Sequence, residues 1–226
     1  MIGAFFKSVQ QLSDPALRGV VRFGVLGALF AYGLSLAAVW FIIGHLAMFS
    51  LGWVGIGAGI AIKLLMLALP MFFFPAISTA IMSNRLEQVV EAVEARHYPD
   101  LPPARIAGWA EILRGSLAFL GLMIGVNLLA LPVYLLLLLT GLGFLLGLAV
   151  NGYLLAREYF DIVALRRLDP DSARILFRSH LIRLWIAGMI IAVLFSIPLV
   201  NLLAPVLATS FMLHLFQSLR YQTERV

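Results

Sequence analysis

The sequence contains no cysteine and few charged residues, and each scarcity excludes a class of protein. Without cysteine, disulfide scaffolds, thiolate metal sites and cysteine nucleophiles are excluded. Charged residues make up 12% of the chain, whereas about a quarter of a soluble domain is charged. There is no Walker loop, nicotinamide-cofactor fingerprint or nucleic-acid motif, so we expect no coupling to ATP, no cofactor and no nucleic-acid partner. No histidine pair has metal-ligand spacing and no catalytic triad is readable, so we expect neither a metal site nor an enzyme.

Long apolar runs dominate what the sequence does contain. Hydrophobic residues make up 62% of the chain, and its mean hydropathy is +1.02. The stretches 23–62, 115–156 and 184–219 carry no Asp, Glu, Lys or Arg, and a fourth, 64–84, is separated from the first only by Lys63. Because a spanning helix needs about 20 mostly apolar residues, we predict an all-α integral membrane protein. The whole chain, 226 residues, is interpreted as a single membrane domain.

Clustered basic residues predict the topology. Lys and Arg lie before the first run, between the second and third, after the third and at the end of the chain, whereas the connection 44–59 contains none. Since Lys and Arg favour the cytoplasmic side, 44–59 is the predicted outer turn and every charged connection is cytoplasmic. Residues 15–97 are therefore predicted to form two long transmembrane helices, the second with an amphipathic extension. The apolar face of that extension consists of Leu86, Val89, Val90 and Val93.

Residues 1–14 are predicted to form a short amphipathic helix that lies in the membrane interface. The alternative is a helix packed on the rest of the protein. In both interpretations the apolar face of this helix consists of Ile2, Phe5, Phe6, Val9 and Leu12.

Proline and asparagine interrupt the third and fourth runs and predict where the chain turns. The last run has only 14 residues, roughly 21 Å of helix, before its first proline, whereas the hydrocarbon core is about 30 Å thick. We therefore predict two re-entrant, half-penetrating helical hairpins, the first over 103–165 and the second, after a short connecting helix, within 170–222. Their tips are placed near Pro132 and at 198–205. The alternative is full transmembrane hairpins with the first turn at 140–143.

Three segments resemble a known family. The C-terminal segment 197–220 reads IPLVNLLAPVLATSFMLHLFQSLR, the connection 151–170 reads NGYLLAREYFDIVALRRLDP, and the start of the first long helix, 14–24, reads DPALRGVVRFG. All three are similar to segments of CysZ-type sulfate permeases and of the wider etoposide-induced-protein family. The resemblance covers most of the chain and is most specific towards its C-terminal end.

The resemblance implies a multi-pass protein of the bacterial inner membrane that takes up sulfate for cysteine biosynthesis. It also implies two long transmembrane helices with half-penetrating hairpins, and a homo-oligomer in which dimers build towards a hexamer. Sulfate and the lipid bilayer are the expected partners. A non-transporting membrane scaffold, or a protein that regulates a partner, is the alternative function, because a fold does not fix an activity.

The start of the first long helix is the predicted sulfate site. Ser13 or Asp14 can cap this helix, and Pro15 suits its first position. The backbone N–H groups of Ala16, Leu17 and Arg18 would then point outward from the helix end. Arg18 and Arg22 add guanidinium groups suited to an oxyanion. The alternative role of both arginines is to anchor the helix at the headgroups. The predicted sulfate-binding residues are Ala16, Leu17, Arg18 and Arg22.

This helix start departs from the family motif, which is close to Pro-Gly-Leu-Arg-Arg. Ala16 stands where the family has glycine, and Gly19 where it has the second arginine. Arg22, one turn beyond Arg18, is the predicted substitute. The predicted pore-lining residues are Lys63, Asn127 and Asn201, with snorkelling to the outer headgroups as the alternative for Lys63.

Overall fold

The computed structural model describes residues 1–48, 64, 68, 80–83 and 85–223, and every regular element in these residues is helical. The predicted all-α class is therefore confirmed. A 3-10 turn, Leu138–Thr140, joins two of the helices. In chain order the described helices are α1 (Ile2–Gln11), α2 (Pro15–Met48), α3 (Leu86–His97), α4 (Trp109–Leu137), α5 (Gly143–Ala164), α6 (Pro170–Ser179), α7 (Leu181–Ser196), α8 (Pro198–Asn201) and α9 (Ala204–Thr223).

Two of the described helices are long and apolar enough to cross a membrane. They are Leu17–Ile42 within α2, with a mean hydropathy of 2.1, and the whole of α4, with 2.2. Only 6% of the best window of each is buried inside the chain, so most of their apolar surface is available to lipid. The chain is therefore a membrane protein. The predicted return helix, which begins near residue 56, falls mostly outside the described residues.

Helix α9 lies at the centre of the core. Phe211, Leu215 and Phe216 are fully buried on it. The Phe5 ring of α1 meets the Phe211 ring edge-on at 5.6 Å, and the Phe160 ring of α5 meets that of Phe216 at 5.9 Å. Edge-to-face aromatic pairs of this kind add to the stabilisation from burial. Helix α1, at the start of the sequence, and helix α5 therefore both pack against α9.

Helices α5 and α7 approach so closely that their backbones touch. A Cβ atom added to Gly188 on α7 would lie 1.9 Å from the carbonyl oxygen of Gly152 and 2.6 Å from Cβ of Ala156 on α5. Small residues allow this approach, which is how helices associate in membranes, where the hydrophobic effect does not drive them together. The two predicted hairpin regions are therefore held together by direct packing.

Helix α3 is the amphipathic extension that the sequence predicts. All four apolar positions of its predicted face are buried, in one core cluster with Leu17 and Val20 of α2. Just before α3, Met82 packs against Gly24 of α2, where an added Cβ would lie 2.4 Å from the Met82 side chain. The N-terminal part of α2 is thereby packed against Met82 and the apolar face of α3.

The predicted hairpin tip at Pro132 is wrong. Helix α4 continues through Pro132 to Leu137, and the chain turns at 138–142, where the alternative prediction placed it. Thr140 fixes the turn, because its hydroxyl donates to the Leu137 carbonyl at 2.9 Å and accepts from the Leu142 N–H at 3.3 Å. Gly141 adopts a φ of 72°, a left-handed conformation that suits glycine. Local turn chemistry, and not the proline, thus ends α4.

The second predicted turn, at 198–205, agrees with the structure. Helix α7 ends at Ser196 just before Pro198, and a single helical turn, α8, connects it to α9. Helix α6, the predicted short connecting helix, meets α7 at a bend of 89°.

Helix α1 divides its predicted apolar face between two environments. Phe5 and Leu12 pack against the core, whereas Ile2, Phe6 and Val9 are exposed. The alternative of packing on the protein therefore holds for one side of the helix. The other side remains free to meet the membrane interface.

Candidate functional site

The turn between α1 and α2 presents Asp14 at the start of the first long helix. The Asp14 N–H donates to the Gln11 carbonyl at 2.8 Å, and its own carbonyl accepts from the Arg18 N–H at 2.9 Å. Of the three backbone N–H groups predicted to face an anion, that of Arg18 is thus used inside α2. Those of Ala16 and Leu17 belong to the first turn, and the Leu17 side chain is buried in the core.

Asp14 is paired with an arginine from a distant part of the sequence. Nη1 of Arg96, in the last turn of α3, donates to Oδ2 of Asp14 at 2.6 Å. The Arg96 side chain is 57% exposed and that of Asp14 is 14% exposed. The packing of α3 on α2 therefore brings a further cation to the predicted site, which the sequence analysis missed. Its position 82 residues away left no sequence signal for this contact.

The two predicted arginines lie on the same side of α2 as Asp14. Arg18 and Arg22 follow Asp14 at intervals of four residues, which places the three along one helix face. Both arginines are exposed. Nearby, the Arg85 guanidinium stacks over the Phe23 ring at 4.0 Å. The base of α2 is therefore a surface of positive charge with one carboxylate at its end.

A buried chain of polar side chains lies beside this surface. The Tyr98 hydroxyl is 2.8 Å from Nδ1 of His214, whose Nε2 is 3.0 Å from Oε1 of Gln11. The Ser210 hydroxyl donates to the same Gln11 oxygen at 2.9 Å. The Gln11 side chain is buried, and its amide nitrogen has no hydrogen-bond partner among the described residues. This junction joins α1, α9 and the segment after α3, and no sequence motif announced it.

His97 and Tyr98 have shifted pKa values at this junction. Burial lowers the pKa of His97, and the positive charges of Arg96 and Lys7 lower it further. The His97 ring lies 5.0 Å from that of His214, edge to face. Burial raises the pKa of Tyr98 to about 12, so its hydroxyl keeps its proton. Lys7, Arg96 and Asp14 are the charged groups that act on His97 at this junction.

A second ionic cluster ties α3 to the connection between α5 and α6. Glu94, buried on α3, accepts from Nη2 of Arg167 at 2.7 Å and lies 3.8 Å from Nη2 of Arg166. Arg167 also donates to the Pro102 carbonyl, and the Arg105 N–H donates to the Arg166 carbonyl at 2.8 Å. These contacts fix the segment that leads into α4. They are structural, because each buried charge already has a partner.

A third ion pair lies at the charged end of α5. Nε of Arg157 lies 2.9 Å from Oδ2 of Asp161, and the guanidinium stands over the Phe177 ring at 5.1 Å. The other carboxylate oxygen of Asp161 is buried without a partner among the described residues. Burial raises the pKa of Asp161 to about 6, against the opposing effect of Arg157. The pair has the i,i+4 spacing at which Arg and Asp side chains meet on one helix.

Two of the three predicted pore-lining residues lie within the described part of the chain. Asn127 is exposed on α4, where its amide donates to the Met123 carbonyl at 2.8 Å. Asn201 ends α8, and its side-chain oxygen is buried with no partner among the described residues. Lys63 lies outside the described residues. Within the described residues, no group of three or more His, Asp or Glu side chains is placed to hold a metal ion.

The comparisons with known proteins agree with the helical membrane architecture. No curated protein and no solved structure matches the chain. A family model does match, over residues 4–205, and its description is sulfate transporter CysZ/etoposide-induced protein 2.4. The match runs from α1 to the start of α9 and so includes both membrane-span candidates and the whole basic surface. The chain therefore belongs to the sulfate transporter CysZ/etoposide-induced protein 2.4 family.

Proposed function

We propose that this protein carries sulfate across the bacterial inner membrane, in a multi-pass arrangement, and supplies sulfate for cysteine biosynthesis. The observation that carries the proposal is the family match over residues 4–205. Two helices suited to crossing a membrane are consistent with it. Sulfate and the bilayer are the proposed partners.

The basic surface at the base of α2 is the proposed site of sulfate entry or binding. Sulfate is a dianion at physiological pH, so a protein must replace its hydration with fixed donors without holding it too tightly to leave. The exposed guanidinium groups of Arg18 and Arg22 supply paired N–H donors, and the first turn of α2 supplies partial positive charge at Ala16 and Leu17. The pairing of Asp14 with Arg96 offsets the one carboxylate at this end of the helix.

The proposed architecture keeps both hairpins re-entrant. The uncharged part of α5, 143–156, is 14 residues or roughly 21 Å long, and that of α7, 184–196, is 13 residues or roughly 20 Å. Both are shorter than the hydrocarbon core of about 30 Å. If the charged ends stay at the cytoplasmic surface, the turns at 138–142 and 197–203 lie inside the membrane. Irregular backbone at that depth must be shielded by protein or line a water cavity.

One observation favours the alternative, a membrane scaffold. The contact of Gly188 with Gly152 leaves no room for water between α5 and α7, so these helices pack dry. A permeation path then has to run elsewhere, and the surfaces of α2 and α4 are the ones left unburied inside the chain. A path between copies fits the proposed homo-oligomer. Lys63, Asn127 and Asn201 remain the predicted pore-lining residues.

Uptake of radiolabelled sulfate into proteoliposomes tests the function directly. Vesicles with the purified protein should take up sulfate faster than protein-free vesicles, and excess unlabelled sulfate should compete with the label. The Arg114→Gln variant, which removes an exposed arginine from α4, should transport like the parent. Uptake equal to that of protein-free vesicles, by protein shown to be folded, would leave the scaffold as the better interpretation.

A further inference from the structure

We propose that Arg96 is an additional anion-binding residue at the base of α2, and that Asp14 occupies it until an oxyanion takes its place. This inference rests on the proposed function, because it concerns the same basic surface. Neither residue is in the predicted set of sulfate ligands. The structure brings them together through the packing of α3 on α2.

The geometry of the pair resembles that of an arginine holding an oxyanion. A carboxylate oxygen of Asp14 lies 2.6 Å from Nη1 of Arg96. Sulfate offers oxygens with the same hydrogen-bonding character, and arginine binds both groups through its planar set of N–H donors. The Arg96 side chain is 57% exposed, so an anion can approach it from outside the protein. The Asp14 carboxylate therefore stands where a ligand oxygen would bind.

The surrounding charges favour a dianion over the single carboxylate. Lys7, Arg96 and Asp14 all act electrostatically on His97, at the end of α3. Arg18 and Arg22 continue the positive charge along α2. The four cations are Lys7, Arg18, Arg22 and Arg96, and Asp14 is the one carboxylate. Their summed formal charge is +3 while the His97 ring is uncharged. A dianion gains about twice the Coulomb energy of a monoanion in such a field.

The pair is not needed to hold α3 in place. Leu86, Val89, Val90 and Val93 are buried in the core, and Glu94 is fixed by Arg167. The Arg96 side chain is 57% exposed, so its guanidinium regains water when the pair opens, and ion pairs with a solvated member contribute little to stability. The Arg96–Asp14 contact can therefore open without loss of the fold, which a displaceable occupant requires.

A second observation at the same turn indicates unused binding capacity. The amide nitrogen of Gln11 is buried and has no partner among the described residues, although Gln11 is 4% exposed. The Gln11 carbonyl accepts the Asp14 N–H at 2.8 Å, so the two residues share one turn. Buried donors normally have partners, so the turn that carries Asp14 also carries a donor whose hydrogen-bonding capacity is unused.

Sulfate binding to purified variants at constant ionic strength tests the inference. Isothermal titration calorimetry should show about tenfold weaker sulfate binding for Arg96→Gln and about tenfold tighter binding for Asp14→Asn. Arg96→Lys keeps the charge and loses the planar donors, so its affinity should be intermediate. In the double variant, Asp14→Asn should give a smaller gain than it does in the parent, since the arginine that it would release is absent and only the removed negative charge acts. Arg114→Gln is the matched control and should bind like the parent.

Anion valence provides a second readout. The gain from Asp14→Asn should be larger for sulfate than for nitrate, because removing one negative charge helps a dianion more than a monoanion. Melting temperatures of all variants should lie close to that of the parent.

The outcomes separate this inference from the proposed function. If the parent binds and transports sulfate while Arg96→Gln binds it like Arg114→Gln, the inference is wrong and the function stands. Equal gains for sulfate and nitrate would also overturn it. If the parent neither binds nor transports sulfate, both the inference and the function fail.

Discussion

At the base of α2, Arg18 and Arg22 differ from most arginines of this chain. Arg166 and Arg167 pair with the buried carboxylate of Glu94, whereas the side chains of Arg18 and Arg22 have no hydrogen bond or ion pair within the described residues. An exposed arginine without a partner is either a headgroup anchor or a ligand-binding residue. Their alignment with Asp14 on one face of α2 makes the second role testable by substitution.

Arg18→Ala should weaken sulfate binding and slow uptake while leaving the melting temperature unchanged. A hydrogen bond to a charged group contributes about 1.5–3 kcal/mol, so we expect roughly a tenfold to hundredfold loss of affinity. Arg18→Lys should fall between the parent and the alanine variant, because it keeps the charge without the paired donors. Calorimetry and proteoliposome uptake provide the two measurements. Parent-like values in both would identify Arg18 as a headgroup anchor.

Asp161 predicts a pH dependence of stability. Its folded pKa of about 6 lies above the ordinary value of 3.8, so the folded chain holds this proton more tightly than the unfolded chain does. The stability that this group contributes is fully present below pH 3.8 and is lost as pH rises through about 6. Asp161→Asn should remove that loss, so its melting temperature relative to the parent should rise between about pH 4 and pH 6.

Asp169 provides the control of opposite sign. It caps α6 by accepting the N–H groups of Asp171 and Ser172. Hydrogen bonding from the Ser172 side chain, and then from these N–H groups, lowers its pKa. Its contribution is present above its unfolded pKa and is lost only as pH falls through the lower folded value. The difference between Asp169→Asn and the parent should therefore stay constant between about pH 4 and pH 6. A constant difference for Asp161→Asn across the same window would contradict the prediction.

At the scale of helices, the crossing of α5 and α7 depends on the absence of a side chain. The Gly188 backbone lies against Gly152 and Ala156, with no space for a methyl group. The contact joins the two hairpin regions directly. In a membrane, such packing carries much of the association between helices, because lipid is as apolar as the side chains themselves.

Gly188→Ala should therefore destabilise the protein. Inserting a methyl group into a packed core costs about 1–3 kcal/mol, and backbone contacts leave little room to relax. Gly125→Ala on α4 is the matched control, because an added Cβ there meets nothing within 4 Å. Alanine is the better helix former, so this control should melt at the parent temperature or above it. Equal melting temperatures for the two variants in detergent would show that α5 and α7 do not pack this closely.

At the scale of the whole molecule, the depth of the two turns determines how the chain sits in the bilayer. Helix α4 is long enough to cross, whereas the uncharged parts of α5 and α7 are not. Because α4 and α5 are joined at 138–142, the short uncharged part of α5 limits how deep in the membrane the first turn can lie. Both turns are then expected inside the membrane, below the outer surface.

Cysteine labelling tests this arrangement in a chain that contains no natural cysteine. Leu139→Cys and Val200→Cys should resist a membrane-impermeant reagent added from the outer side. Residue 50 lies outside the described residues. Ser50→Cys should react with the reagent, because the sequence pattern predicts an outer turn at 44–59. Strong outer labelling at 139 would replace the first re-entrant hairpin with a full crossing. Mixed labelling at 50 would mean that subunits insert in both orientations and that the charge argument fails.

The sequence by itself determined the membrane class, the start of α2, the buried face of α3 and the turn before α9. Each of these depends on local signals: uncharged length, the Asp14–Pro15 helix start, the period of Leu86 to Val93, and the proline at 198. Local signals failed at Pro132, because a proline bends a helix without having to end it. The glycine and threonine at 140–141 decided where that turn lies.

Only the tertiary structure decided which side chains share the site. Arg96 reaches Asp14 across 82 residues, and His214 reaches Gln11 across 203. No periodicity or motif spans such distances, because these contacts depend on how α3 and α9 pack against α1 and α2. The sequence predicted Arg18 and Arg22 because they follow Asp14 on one helix. It missed Arg96 because helix packing, which depends on the burial of apolar faces, places that cation at the base of α2.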